Sequence, residues 1–198
     1  MYVEYEHKPH FYITKNEFIH IFIAWIILSL TFAWILSNPL TNSFSMYLTV
    51  LPPVLVATLT GFVVHELAHK FMAIRYGAFA EFVIWPVGII LAIVTAMIGF
   101  IFAAPGAVYI YKSHLSIKEN GIISVAGPAL NLAMGLIFIG ISFLYPSMWI
   151  LFIAKINIFL GLFNMLPIPP LDGSKVLRWS PMIWGATGAL LLILFLFV

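Results

Sequence analysis

The apolar run over residues 47–74 carries the residues that restrict this chain most: His65-Glu66-Leu67-Ala68-His69. Two histidines four positions apart can reach one metal ion when the segment is helical, because positions i and i+4 then share a face. Glu66, beside them, is placed to accept a proton from a water activated at that metal. The flanking residues 58–64 and 71–74 are almost wholly apolar. A hydrolytic motif is therefore expected inside a lipid bilayer.

Composition decides in favour of the bilayer. The 198 residues are 63% hydrophobic and 8% charged, against about 25% charged in an ordinary soluble domain. A single domain of this length has no core large enough to hide that apolar surface, so lipid must solvate much of it. The net charge of +2, with no basic run, argues against a nucleic-acid partner. The absence of cysteine excludes disulfides and thiolate metal sites. Residues 1–17 are polar and aromatic without a cleavable signal pattern and read as a cytoplasmic N-terminal segment.

A membrane helix needs about 20 apolar residues. Candidate spans are residues 18–36, 47–74, 121–144, 148–166 and 181–198, with Pro52 and Pro53 near the start of the second. The stretch 82–104 is apolar but punctuated by Pro86, Gly88 and Gly99, and short strands are expected at 81–85 and 107–111. It either re-enters the membrane and returns, or crosses as a sixth span. Basic residues favour re-entry: eight of the nine Lys and Arg then fall on one side, and the opposite loops, 37–46 and 145–147, hold none. The expected fold is a polytopic α-helical membrane bundle of five to six segments, forming one domain over residues 1–198. A re-entrant strand region at 81–111 follows the motif helix, and the N-terminus is cytoplasmic.

A catalytic zinc commonly has three protein ligands and an open position. Besides His65 and His69, the candidates are His7, His10, His20, His114, the other glutamates and Asp172, the only aspartate. Asp172 follows the proline-rich stretch 167–170 at the end of the fourth span, on the side where His65 and His69 emerge. Irregular backbone at that depth must line a cavity or be buried in protein, so Asp172 can fold back to the histidines. The alternative is an ordinary Asp172-Gly173 turn. Asn131 is read either as lining the site or as making an interhelical hydrogen bond. Lys155 lies within a span, where its side chain can snorkel outward.

The order of His65-Glu66-x-x-His69, then Asn164-x-x-Pro167, then Leu171-Asp172-Gly173 resembles the site-2 protease family of intramembrane zinc peptidases. The resemblance extends to residues 104–108, Ala-Pro-Gly-Ala-Val, and 127–131, Gly-Pro-Ala-Leu-Asn. It implies one zinc ion per chain held by His65, His69 and Asp172, and Glu66 as general base. It also implies that Asn164 contacts the substrate carbonyl or the oxyanion and that the strand region binds substrate backbone. No PDZ or CBS regulatory domain is expected. The substrate is expected to be another transmembrane segment, unwound and held by β-addition at an edge near Val108, with Asn131 as a second substrate-contacting candidate. The expected location is the cell membrane, with the active site towards the cytoplasm. Oligomeric state is left open. Alternatives are a zinc-dependent membrane hydrolase of another class and a membrane metal carrier; the carrier is disfavoured because Glu66 would have no purpose in a closed storage site.

The sidedness that the charges imply can be measured directly. Single cysteines at Arg75 and Ser113 should label from one side of the membrane and one at Tyr145 from the other. Opposite labelling of the first two would establish a sixth crossing.

Overall fold

The structure, a computed structural model, describes residues 10–38, 44–99 and 105–198. Parts of the expected N-terminal segment, including His7, of the 37–46 loop and of the 82–104 stretch lie outside the described residues.

Helix α1 (Lys15–Ser37) starts where the Thr14 hydroxyl accepts the Glu17 N–H at 3.1 Å, a standard N-cap. Helix α2 (Phe44–Thr58) contains Pro52 and Pro53 and passes through a π-helical turn (Leu59–Val63) into α3 (Val64–Arg75). Strands β1 (Phe79–Ile84) and β2 (Gly106–Tyr111) flank α4 (Pro86–Met97). Helix α5 (Ile117–Leu144) begins at a Ser116/Glu119 capping box, four residues before the apolar run expected from residue 121. Helices α6 (Met148–Asn164), α7 (Asp172–Trp179) and α8 (Pro181–Phe197) complete the chain.

Among the described residues, three helices are long and apolar enough to cross a membrane: Lys15–Ser37, the continuous Phe44–Arg75 and Ile117–Leu144. Pro86–Met97, Met148–Asn164 and Pro181–Phe197 are shorter apolar helices. Outward side chains such as Phe143 and Phe197 are 82% and 85% exposed. The apolar surface thus surrounds the bundle, as expected of a membrane helical protein.

Helix α5 is central, packing on α3, α6 and α7. Ile21, Ala24 and Leu28 of α1 form a core with Phe62, Val63 and Phe82, and the Phe62 and Phe82 rings meet edge to face at 5.9 Å. A buried hydrogen bond of 2.6 Å between the Ser29 and Thr58 hydroxyls ties α1 to α2.

The two strands pair antiparallel, with Phe79 opposite Tyr111, Phe82 opposite Val108 and Ile84 opposite Gly106. The strands expected at 81–85 and 107–111 are thus found slightly earlier. Trp85 N–H donates to the Pro105 carbonyl at 2.8 Å, so the ends of the intervening segment lie side by side. Phe82 and Val108 form a pair whose N–H groups both point away from the partner strand.

Candidate metal centre

His65 and His69 lie one turn apart on α3 and are both buried. The chain fixes their outer nitrogens first. Asn131 of α5 donates its Nδ2 to the Gly61 carbonyl at 2.9 Å. Its Oδ1 is therefore the acceptor, and His65 Nδ1–H donates to it. His69 Nδ1–H donates to the Ile123 carbonyl at 2.8 Å. Both imidazoles are thereby held in the tautomer that leaves Nε2 as a lone-pair donor, the orientation that metal-ligating histidines require.

The two Nε2 atoms are 3.0 Å apart. Asp172 Oδ2 lies 3.3 Å from that of His65 and 3.1 Å from that of His69. Ligand atoms on a tetrahedral zinc with bonds of about 2.0–2.1 Å sit about 3.3 Å from one another. The observed triangle thus has the size of one tetrahedral face, with a fourth position left over. Its chemistry, two imidazole lone pairs and a carboxylate oxygen, calls for a cation. Asp172 Oδ1 is turned to Lys175, 3.5 Å away. Among the described residues this is the one group of His, Cys, Asp and Glu close enough to hold a metal ion.

Two glycines permit the assembly. A Cβ on Gly127 would lie 2.5 Å from His69 Nε2 and 2.6 Å from His65 Nε2. A Cβ on Gly173 would lie 2.1 Å from the Met165 carbonyl oxygen, which blocks the fold of the proline loop that delivers Asp172. Ile123, Gly127 and Asn131 recur every four residues, so one stripe of α5 grips both histidines.

Glu66 faces the hairpin, where its Oε2 accepts the Val108 N–H at 3.0 Å. A carboxylate, the metal group and the outer edge of β2 are therefore adjacent. Asn164 ends α6, and its Nδ2 donates to the Leu160 carbonyl at 3.0 Å. Asn131, expected among substrate-contacting residues, is fully buried, and its two polar atoms are engaged by Gly61 and His65. It stands behind the histidine and is shut off from the surface. Lys155 is on the outside of α6, 5.4 Å above the Phe195 ring. His10 and His114 are exposed.

Some of the site escapes sequence reasoning. A backbone carbonyl such as that of Ile123 carries no sequence mark. The π turn that presents the Gly61 carbonyl is equally unmarked. The four-residue spacing of Ile123, Gly127 and Asn131 was the available signal.

Fold and site define a helical membrane protein with a buried His/His/Asp group suited to a metal and a neighbouring carboxylate. The family model described as Peptidase family M50 matches residues 145–187, a segment that includes Asn164 and Asp172. Relatives that carry the name "Putative zinc metalloprotease" include the following three. That of Methanocaldococcus jannaschii is 44% identical over 165 residues, covering 80% of this chain and 84% of the relative. That of Bacillus subtilis is 29% identical, covering 66% and 70%. That of Mycolicibacterium smegmatis is 28% identical, covering 74% and 63%. No solved structure matches. The chain belongs to peptidase family M50 and is a site-2-type metalloprotease.

Gly127→Ala tests the packing of α5 on the histidines. The added methyl should push both rings off their positions, at about 1–3 kcal/mol of strain, and zinc content should fall sharply while the helical spectrum persists. Full zinc occupancy by elemental analysis would show that α5 does not hold the rings.

Proposed function

We propose that this chain is an intramembrane zinc endopeptidase that hydrolyses peptide bonds within or near transmembrane segments of membrane-protein substrates. One observation carries the reading: the three candidate ligands, Glu66 and the outer edge of a strand meet at one place within an apolar helical bundle.

His65, His69 and Asp172 would hold one zinc per chain. When bound, the metal supplies a Lewis acid that makes water reactive at neutral pH. Glu66 takes the proton of the attacking water and returns it to the leaving amine. The outer edge of β2 offers backbone groups at Val108 to an extended substrate segment, which must first give up its helical hydrogen bonds. Asn164 would donate to the carbonyl oxygen as it gains charge, after its Nδ2 turns away from Leu160. The tied Nδ1 atoms keep the histidines from rotating during these steps.

The proposed topology has five crossings, by α1, the α2–α3 rod, α5, α6 and α8. Helix α4 has 12 residues, a length of about 18 Å, short of a hydrocarbon core of about 30 Å. The adjacent ends of its segment, at Trp85 and Pro105, support entry and return on one side. Helices α6 and α8, each of 17 residues, reach about 25 Å and suffice with slight local thinning. Charge distribution supports a cytoplasmic N-terminus and metal site in a single domain, with the cell membrane as the location.

Purified protein with a panel of single-span substrates tests the activity. Glu66→Gln should keep its zinc and lose cleavage by about 10²–10⁴-fold, the usual contribution of a general base. Cleavage at the wild-type rate in that variant would rule out the mechanism.

A further inference from the structure

Glu17 and Lys70 form a buried ion pair that takes no part in the chemistry above, yet it grips the same hairpin. Lys70 follows His69 on α3. Its Nζ donates to Glu17 Oε2 at 2.5 Å and to the Tyr12 carbonyl at 2.6 Å. The other oxygen of Glu17 accepts the Phe82 N–H at 3.0 Å. On the facing strand, the Val108 N–H donates to Glu66 Oε2 at 3.0 Å. Phe82 and Val108 are register partners. One cross-strand pair is therefore held at both of its outward N–H groups by carboxylates. Both holds lead to α3, directly through Glu66 and through Glu17 to Lys70, one turn apart on one helix face.

The two holds differ in what catalysis allows them. Glu66 must be free to accept a proton, and a substrate strand on β2 would take the Val108 N–H for its own carbonyl. The Glu66–Val108 bond therefore cannot fix the hairpin during turnover. Glu17 and Lys70 have no such duty. A buried ion pair contributes little net stability compared with apolar side chains of similar volume, so stability alone does not account for it. We infer that Glu17 and Lys70 are positioning residues that keep the substrate-binding edge of the hairpin in register with the metal-binding helix when Glu66 releases Val108. This rests on the peptidase reading of the site.

The double variant Glu17→Met/Lys70→Met separates positioning from packing. It fills the same space and strands no charge, but it leaves the Phe82 N–H without its acceptor. On the full-length, zinc-loaded protein, hydrogen exchange should accelerate at residues 79–84 and 106–111 while α5 stays protected. Zinc content should match wild type. With a single-span substrate, kcat should fall by about 10- to 100-fold, the scale expected of a displacement of about 1 Å, with a smaller change in KM and new cuts at neighbouring bonds. The single variant Lys70→Arg, which keeps both the cation and Glu17, should retain wild-type exchange rates and cleavage site. The inference is overturned if strand exchange and cleavage pattern stay as in wild type. It is equally overturned if the double variant loses its fold or its zinc, since the pair then merely holds the structure. Exchange is read without catalysis, so failure of the peptidase reading, seen as no Glu66-dependent cleavage by wild type, is a separate result.

Discussion

The contact between α3 and one stripe of α5 is the constraint on which the site depends. Lipid tails are as apolar as leucine, so helices in a bilayer gain little from burying apolar faces against each other, and polar contacts and close packing fix their register. Here both come from one stripe. The Ile123 carbonyl and the Asn131 amide take the outer protons of the two imidazoles, and Gly127 between them lets the helix backbone approach the rings. Sliding α5 by one residue would break both hydrogen bonds and drive a side chain into the space at Gly127. The tautomers, the Nε2–Nε2 separation and the place left for Asp172 all follow from that register.

Strands are unusual beside membrane helices, because an open sheet edge in hydrocarbon leaves backbone groups without partners. This hairpin answers the difficulty with carboxylates. Glu17 takes the outward N–H of β1 and Glu66 that of β2 at the same cross-strand pair. In the proposed mechanism the second arrangement is replaceable, with a substrate carbonyl taking the place of Glu66. The features that make the edge tolerable in the bundle also leave it open to a ligand of matching backbone chemistry.

Much of this was legible in the sequence, because its strongest signals are physical necessities. His65 and His69 at i and i+4 require a helix. Long apolar runs require lipid, and Asp172 is the only aspartate in the chain. The helices fall where those runs lie, and the pairing of Phe79–Ile84 with Gly106–Tyr111 follows the short β-rich segments at either end of a punctuated stretch. What the sequence hid has a common cause: it depends on backbone groups or on partners far apart in the chain. The π turn at Leu59–Val63, the Ile123 carbonyl and the pairing of Glu17 with Lys70 leave no local pattern. Asn131 was visible as a polar residue within a span, but its partner became clear only with α3 and α5 side by side. Helix α7 was not anticipated, because its eight residues lie between the fourth and fifth apolar runs and are too short and too polar to read as a span.

The central claim is that His65, His69 and Asp172 form three corners of a zinc site whose fourth corner is open. Zinc K-edge absorption on the purified protein tests it most directly. Nitrogen and oxygen neighbours are expected at about 2.0–2.1 Å with the scattering signature of two imidazole rings, falling to one ring in His65→Ala. A shell containing sulfur or three or more imidazoles, or a spectrum unchanged in that variant, would contradict it.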